Sequence, residues 1–397
     1  MSIKSFYTIT APTTWATPPA VYSFSSLAQI ENCPTAWQLQ NSWYDGLERY
    51  PSRPVPAATE GEIIHTVLEK FFRELARHGM PAIGSDPFQK TVKRLATIDL
   101  IAQLVADHQV KLANHPRGSG FHIKSSVQEL HNKFIRIFKE QYCKVRSVTA
   151  SSMVGLFDRT FPEIATNIEV TQDYTALLER HGVLTELSLR HPVVPFKGIL
   201  DFVWLDDTGI VISDFKSGTV KAEHREQLLL YAFLWEANTK QVPRRAYIVY
   251  PDSSVTIEIT EELLSTVSDE ITERIEKAGS SLQMTPGKAN VSKLCQYCHV
   301  RQMCDSYWKS LETRKGSTIQ CGDIEIAVSE IHGDFGLIGS SADGSVVNLV
   351  YDKDAAKIFG HFIVGERLRI IGAMSKSDAY ELKPWSEVFH AGRTVIV

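Results

Sequence analysis

The sequence predicts an α/β protein: a mixed sheet flanked by helices, with a helical insert and a small β-barrel near the C-terminal end. Three observations predict it. Strand-length apolar runs at Leu184–Leu189, Gly198–Trp204, Ile210–Phe215 and Arg245–Tyr250 cluster in the middle of the chain. Helical apolar patterns over Glu60–Phe72 and Ala222–Asn238 stand on either side of the central hairpin. Residues 317–397 carry short strands punctuated by glycine, the spacing of a small barrel.

Bulk properties narrow the class. The 397 residues suffice for two or three domains with full cores. A formal net charge of −4 excludes a protein basic all over, but leaves room for a local basic groove. No apolar run reaches the roughly 18 residues of a membrane helix. The start, Met1 to Phe6, lacks the pattern of a signal peptide. A cytoplasmic, reducing location is therefore expected, where the six cysteines are better read as ligands or core residues than as disulfides.

In chain order, residues 1–20, rich in Thr, Pro and Ala, read as a flexible lead-in. Residues 21–83 follow as a first nuclear segment of the fold. Ser23 or Ser25 caps a short helix bearing Leu27 and Ile30, which ends near Cys33 because Pro34 follows. After a Pro-rich loop, Ile64, Leu68 and Phe71 form a helical stripe with His65 beside it and Glu69 one turn on. Residues 84–182 read as a helical insert. Within it, Lys111, Arg117, Lys124, Lys133, Arg136, Lys139, Lys144 and Arg146 interleave with Phe121, Phe134, Phe138 and Tyr142. That mixture suits a surface that tracks phosphates and stacks bases. It equally suits an amphipathic helix with the aromatics in the core and the lysines in water.

Residues 183–310 hold the chemistry. Two strands joined at Asp206-Asp207-Thr208-Gly209 form a hairpin that gathers Asp201, Asp214 and Lys216. Two carboxylates with a cation beside them make a hard-metal site suited to phosphodiester hydrolysis. Gln227 and Tyr231, four apart on the next helix, share a face. Further on, Cys295, Cys298 and Cys304 in C-x2-C-x5-C spacing supply three thiolates of one site. His299, Cys33 and Cys321 are the candidates for a fourth ligand, whereas Cys143 has no assigned role. Residues 317–397 form the barrel, whose Gly365–Gly372 run resembles an OB-fold strand. Eleven Asp or Glu against seven Lys or Arg make it acidic, fitting a partner-binding module as well as a strand binder. No G-x-x-x-x-G-K-[ST] run appears, so any unwinding would come from a partner helicase.

Taken together, the motifs resemble the PD-(D/E)XK nuclease superfamily, in particular its RecB-like branch with an iron–sulfur cluster, which includes CRISPR-adaptation nucleases and exonuclease V. Gly61, His65, Leu68 and Glu69 match its first helix. Gly198 to Asp201 match G-x-x-D, Asp214-Phe215-Lys216 match D-x-K, and Gln227 with Tyr231 match Q-x-x-x-Y. Ser23, Ser25, Leu27, Cys33 and Pro34, then Cys295, Cys298 and Cys304, match the cluster pattern. The resemblance covers residues 22–308 and implies a restriction-endonuclease-like sheet. It implies that His65, Asp201, Asp214 and the Phe215 carbonyl hold Mg²⁺ or Mn²⁺, with Glu186 as a water-mediated or second-metal ligand. Lys216 would orient or deprotonate the attacking water, Gln227 would hold Lys216 or a nucleotide, and Tyr231 would contact the backbone or the DNA. Cys33, Cys295, Cys298 and Cys304 would carry a structural [4Fe–4S] cluster, and the insert would arch over the strand as a clamp. The implied function is a metal-dependent DNA exonuclease acting on single strands or ends, in repair, recombination or antiviral defence. A DNA-binding subunit of a larger complex with little cleavage of its own is the alternative, and a zinc-stapled nucleic-acid-binding protein, with His299 as fourth ligand, is a second.

Overall fold

The computed structural model describes residues 7–118, 120–152, 173–312, 322–333, 335–352, 359, 362–376 and 379–392. The elements run β1 (Tyr22–Ser23), α1 (Phe24–Asn32), α2 (Pro34–Asn41), α3 (Pro56–Ala76), α4 (Asp86–Leu95), α5 (Thr97–Asn114), α6 (Val127–Ser152) and α7 (Tyr174–His181). Then come β2 (Val183–Arg190), β3 (Phe196–Asp206), β4 (Gly209–Phe215), α8 (Ala222–Thr239), β5 (Arg245–Val249), β6 (Ser254–Glu258), α9 (Glu261–Ser281) and α10 (Asp305–Glu312). The barrel strands are β7 (Gly322–His332), β8 (Gly336–Ser340), β9 (Val346–Val350), β10 (Arg367–Ser375), β11 (Tyr380–Glu381) and β12 (Glu387–His390).

The first sheet is mixed. Its order is β1-β3-β4-β5-β6, with β2 on the other edge of β3. β2, β3 and β4 are antiparallel neighbours, while β4 and β5 run parallel with α8 as the crossover between them. One apolar layer joins this sheet to α1, α8 and α9 through residues such as Leu27, Leu228, Trp235 and Ile271. A second layer joins its other face to α3 and α6 through Phe71, Phe72, Phe134, Phe138 and Phe202. Helices thus cover both faces, which is why β4 is apolar almost throughout and α8 is apolar from Leu228 to Trp235. A buried hydrogen bond from Ser213 Oγ to Gln141 Oε1, 2.9 Å, ties β4 to α6.

The second sheet closes into a barrel. β11 pairs with both β9 and β10, completing the ring β7-β8-β9-β11-β10, and β12 flanks β10. The expected strands are present, and β12 is an addition that the glycine spacing does not announce. The barrel core continues into Leu39, Tyr50, Val300, Met303, Tyr307 and Trp308. Ion pairs lock that junction. Arg117 is buried and holds Glu387 through two bonds, Nε–Oε1 at 2.6 Å and Nη2–Oε2 at 2.9 Å. Arg301 reaches Asp323 at 2.6 Å, and Arg369 pairs with Asp305.

One expectation is corrected here, and one of two open readings is selected. The lead-in is anchored from Tyr7, which is buried, and the Ile9 N–H donates to the His390 carbonyl on β12. The interleaved aromatics of the insert are core: Phe134, Phe138 and Tyr142 are buried against one another and against α3 and α4. Four of the eight cations named there have acidic partners, Lys133 with Glu60, Arg136 with Asp252, Lys144 with Glu140 and Arg117 with Glu387. The spacing Phe134, Phe138, Tyr142 is one helical face, and burial of that face outweighs any gain from stacking bases. The side chain of Arg146, and residues 153–172 of the expected clamp, lie outside the described residues.

Candidate active site

The register of three strands builds the site. Thr185 pairs with Phe202 and Leu187 with Leu200, so Glu186 falls opposite Asp201. Phe202 pairs with Ser213, so Asp201 falls opposite Asp214 on the far side. Three carboxylates therefore stand at one level across β2, β3 and β4. The in–out alternation breaks at this level. Leu184 and Leu187, an odd step apart, join the same apolar layer, as do Leu200 and Val203. Glu186 takes a left-handed backbone, φ 49°, which non-glycine residues adopt only where the surroundings hold them. The ladder is also interrupted: the Phe215 N–H donates to Asp201 Oδ2 at 2.8 Å instead of to a main-chain acceptor.

Side chains from two helices complete the constellation. His65, on the exposed edge of α3, brings Nδ1 to 3.5 Å from Asp201 Oδ2. Its ring meets Phe215 edge-on. His65, Glu186 and Asp201 are the one group of three ligand atoms within 4.8 Å of one another among the described residues. A cavity of about 400 Å³ opens onto them, lined by Gly61, Glu62, His65, Glu69 and Glu186. Asp214 lies just inside, 1% exposed, with Lys216 Nζ 2.7 Å from its Oδ2. Lys216 Nζ also donates to Gln227 Oε1 at 2.9 Å, and Gln227 Nε2 donates to the Tyr231 hydroxyl at 2.5 Å. The four-residue spacing on α8 thus becomes a relay that fixes the lysine. Gly198 belongs to the same unit: an added Cβ would stand 2.9 Å from the Tyr231 ring. That glycine is required by the close approach of the tyrosine.

Electrostatics follow from crowding acids in a dry place. Burial pushes Asp201 up to about 6. Burial and then the Asp201 charge push Asp214 up to about 7. Burial, followed by Asp201 and Glu69, pushes Glu186 up to about 8. Burial holds His65 below its ordinary range, so its imidazole is neutral and has a lone pair to offer. One ammonium, Lys216, does not neutralise three carboxylates. Lys216 stands close to Asp214 Oδ2 but off the line a hydrogen bond needs, leaving that oxygen without an aligned donor. A neutral imidazole with uncompensated carboxylates is the donor set of a hard divalent cation, so the residues present fit Mg²⁺ or Mn²⁺. The group differs in one member from the motif expectation: Glu186 shares the tight triad with His65 and Asp201, and Asp214 sits behind them beside Lys216.

The cysteines meet elsewhere. Cys33, at the junction of α1 and α2, lines one cavity of about 410 Å³ together with Cys295, Cys298 and Cys304. Ser23 caps α1 with a reciprocal bond from Ser26, and the Cys33 N–H closes the helix on Gln29. Burial pushes the Cys298 thiol up to about 11 and raises Cys304 as well. Among the described residues, no three cysteine sulfurs lie within 4.8 Å of one another. Four thiolates on one zinc would stand about 3.8 Å apart, given a Zn–S distance of roughly 2.3 Å and tetrahedral angles. The His299 Nδ1 accepts from the Arg53 N–H at 3.0 Å, which occupies that ring nitrogen. Cys143 is exposed, and Cys321 lies outside the described residues.

A family model for the PD-(D/E)XK nuclease superfamily matches residues 21–305, and the chain belongs to that superfamily. No curated protein matches the chain. Among solved structures, one named SSO0001 is 22% identical; the match covers 34% of this chain and 66% of that one, with a TM-score of 0.23. A candidate exonuclease from Eubacterium rectale is 9% identical, with 75% of this chain and 94% of that one covered and a TM-score of 0.34.

Proposed function

We propose that this superfamily member is a Mg²⁺- or Mn²⁺-dependent deoxyribonuclease that trims single strands or DNA ends. The observation that supports this best is the level row Glu186, Asp201 and Asp214, with His65 on one side and the Lys216–Gln227–Tyr231 relay on the other. His65, Asp201 and Glu186 would hold the ion at the cavity mouth, with Asp214 and the Phe215 carbonyl completing the oxygen donors. When bound, the ion polarises the scissile phosphate and acidifies a water. Lys216 places its ammonium where negative charge develops on the phosphorane, and the Gln227 bond keeps it there without reorganisation. With its amine held between Asp214 and Gln227, Lys216 also orients the attacking water for in-line approach. Tyr231 supports the relay and walls the site against Gly198.

We further propose a structural [4Fe–4S] cluster on Cys33, Cys295, Cys298 and Cys304. Four thiols around one cavity, spaced too widely for one tetrahedral zinc, favour the cluster, in which each thiolate binds a separate iron. It would staple the start of the nuclease fold to its end, with no part in the hydrolysis. Work in repair, recombination or defence, a cytoplasmic location, and a helicase or other partner docked on the acidic barrel are extensions of the same proposal.

The test is cleavage of 5′- and 3′-labelled single- and double-stranded DNA with Mg²⁺ and Mn²⁺. Asp214→Ala or Lys216→Ala is expected to lower the rate by at least about a hundredfold, as for loss of one charge-stabilising group. Metal-dependent cutting that persists in both variants refutes the assignment.

A further inference from the structure

On the insert helix α6, Lys133, Arg136 and Lys144 each have an acidic partner, whereas on a different surface cations outnumber the acids that pair with them. Residues 70–94 carry six Lys or Arg against two acids, in a chain of net charge −4. Lys70, Arg73, Arg77, Lys90, Lys93 and Arg94 are all exposed. On α3, His65, Glu69, Arg73 and Arg77 follow one another at four-residue steps. They form one strip along the solvent side, advancing about 6 Å per step. The strip starts at the site. Glu69 lines the site cavity and pairs with Arg73. Arg73 lies near enough to Glu186 to oppose the upward push on that carboxylate.

Next to Arg73 in the chain, one carboxylate collects two guanidinium groups and a histidine. Glu74 is 4% exposed and takes Arg77 Nη1 at 3.0 Å, His78 Nε2 at 3.5 Å and the Arg94 guanidinium from α4. The cationic heads themselves stay in water, with Arg77 44% and Arg94 56% exposed. Gathering like charges at a surface is unfavourable in the free protein, and a single buried carboxylate offsets it only in part. The remaining positive field faces solvent next to a phosphodiester-cleaving site. A polyanion is the partner that complements it, and the step along α3 is comparable with the spacing of successive phosphates in an extended strand.

We propose that this strip is the track along which a single DNA strand leaves the site. Arg73 holds the phosphate nearest the scissile bond, and Arg77 and Arg94, flanked by Lys70 and Lys93, hold backbone phosphates farther along the strand, beyond the reach of a four-nucleotide substrate. The inference rests on the nuclease reading above and adds to it the path of the strand. Because the contacts are to phosphates, they add affinity and processivity without sequence preference.

The experiment compares the full chain with a Lys70→Gln/Lys93→Gln variant and with Arg94→Gln, which leaves Arg77 and His78 on Glu74. Binding of labelled dT4 and dT20 is measured in Ca²⁺ across a KCl series, and cleavage of both in Mg²⁺. The variants are expected to bind dT20 roughly three- to tenfold more weakly, with the slope of log K against log salt shallower by about 0.7 per cation removed. Binding and cleavage of dT4, and thermal stability, stay as in the parent. Unchanged dT20 affinity and slope in both variants, or an equal loss on dT4, overturns the track alone. A parent protein that neither binds nor cuts dT20 overturns both the track and the nuclease reading.

Discussion

Two ligand sets in this molecule are built on opposite principles. The hard set, His65, Glu186, Asp201 and Asp214, is assembled by strand register and one helix, and its members crowd within a few ångströms. The soft set, Cys33, Cys295, Cys298 and Cys304, comes from two distant stretches of chain, and its members line one cavity with no three sulfurs within 4.8 Å of one another. Burial raises the carboxylates of the hard set, with one lysine beside them, and in the soft set it raises the thiols of Cys298 and Cys304. The first arrangement stores electrostatic demand for an ion at the reacting centre. The second, on the cluster proposal above, would take a bulky group whose binding energy is folding energy. The difference separates catalysis from stability, and each set can be broken without the other.

The largest separation is expected from Cys298→Ser. Loss of one thiolate should abolish iron content and lower the melting temperature by roughly 5–10 °C, about 2–4 kcal/mol, whereas Asp214→Ala should leave iron and melting temperature as they are. Iron analysis and calorimetry of the parent and the two variants check this: an iron-free parent would remove the cluster, and an iron-free Cys298→Ser protein as stable as the parent would remove its structural role.

The next effect concerns pH. Asp201, Asp214 and Glu186 titrate at about 6, 7 and 8 in the folded chain. Their unfolded values are about 4. Between those limits the folded state holds more protons than the unfolded one. Stability of the metal-free protein is therefore greatest below about pH 4 from this source and declines as pH rises to about 8. Melting scans in EDTA should show the decline, Asp214→Asn should make it shallower, and Mn²⁺ should raise the melting temperature most at pH 8, where protons no longer compete. A flat metal-free profile would mean that the carboxylates are already compensated.

A smaller effect is expected at Gly198. Its Cβ would overlap the Tyr231 ring at 2.9 Å. Gly198→Ala should cost about 1–3 kcal/mol and lower kcat more than it raises KM, because it shifts the relay that fixes Lys216. Gly61→Ala is the control: its Cβ would meet only the movable Ser217 Oγ at 3.2 Å, and an effect below about 1 kcal/mol is expected.

Much of the site was legible in residue order. The hairpin, the Asp201–Asp214–Lys216 grouping, the Gln227–Tyr231 pair and the helix carrying His65 all follow from local periodicity, and local periodicity survives folding because each element buries its own apolar face. Glu186 was an acid within an alternating strand, expected from the family resemblance only as a water-mediated or second-metal ligand. Its place in the tight triad comes from a left-handed backbone and from register against β3, and neither has a local signal in Leu184–Leu189. The insert shows the reverse case. Lys133, Phe134, Arg136, Phe138 and Tyr142 read as a nucleic-acid surface, but which face is buried depends on α3 and α4, which approach from far away in sequence.

By itself, then, the sequence determined the elements, the barrel, and the residue types and spacing of both ligand sets, because these depend on helical and strand periods and on donor chemistry. Only the tertiary structure decided which charges are neutralised. Arg117 reads like any basic residue of the insert, yet it is buried against Glu387, some 270 positions away. Arg73, Arg77 and Arg94 read like ordinary surface charges, yet they stand together in water beside the site. The physical reason is that the energy of a charge is set by what surrounds it in space, and long-range packing supplies those surroundings.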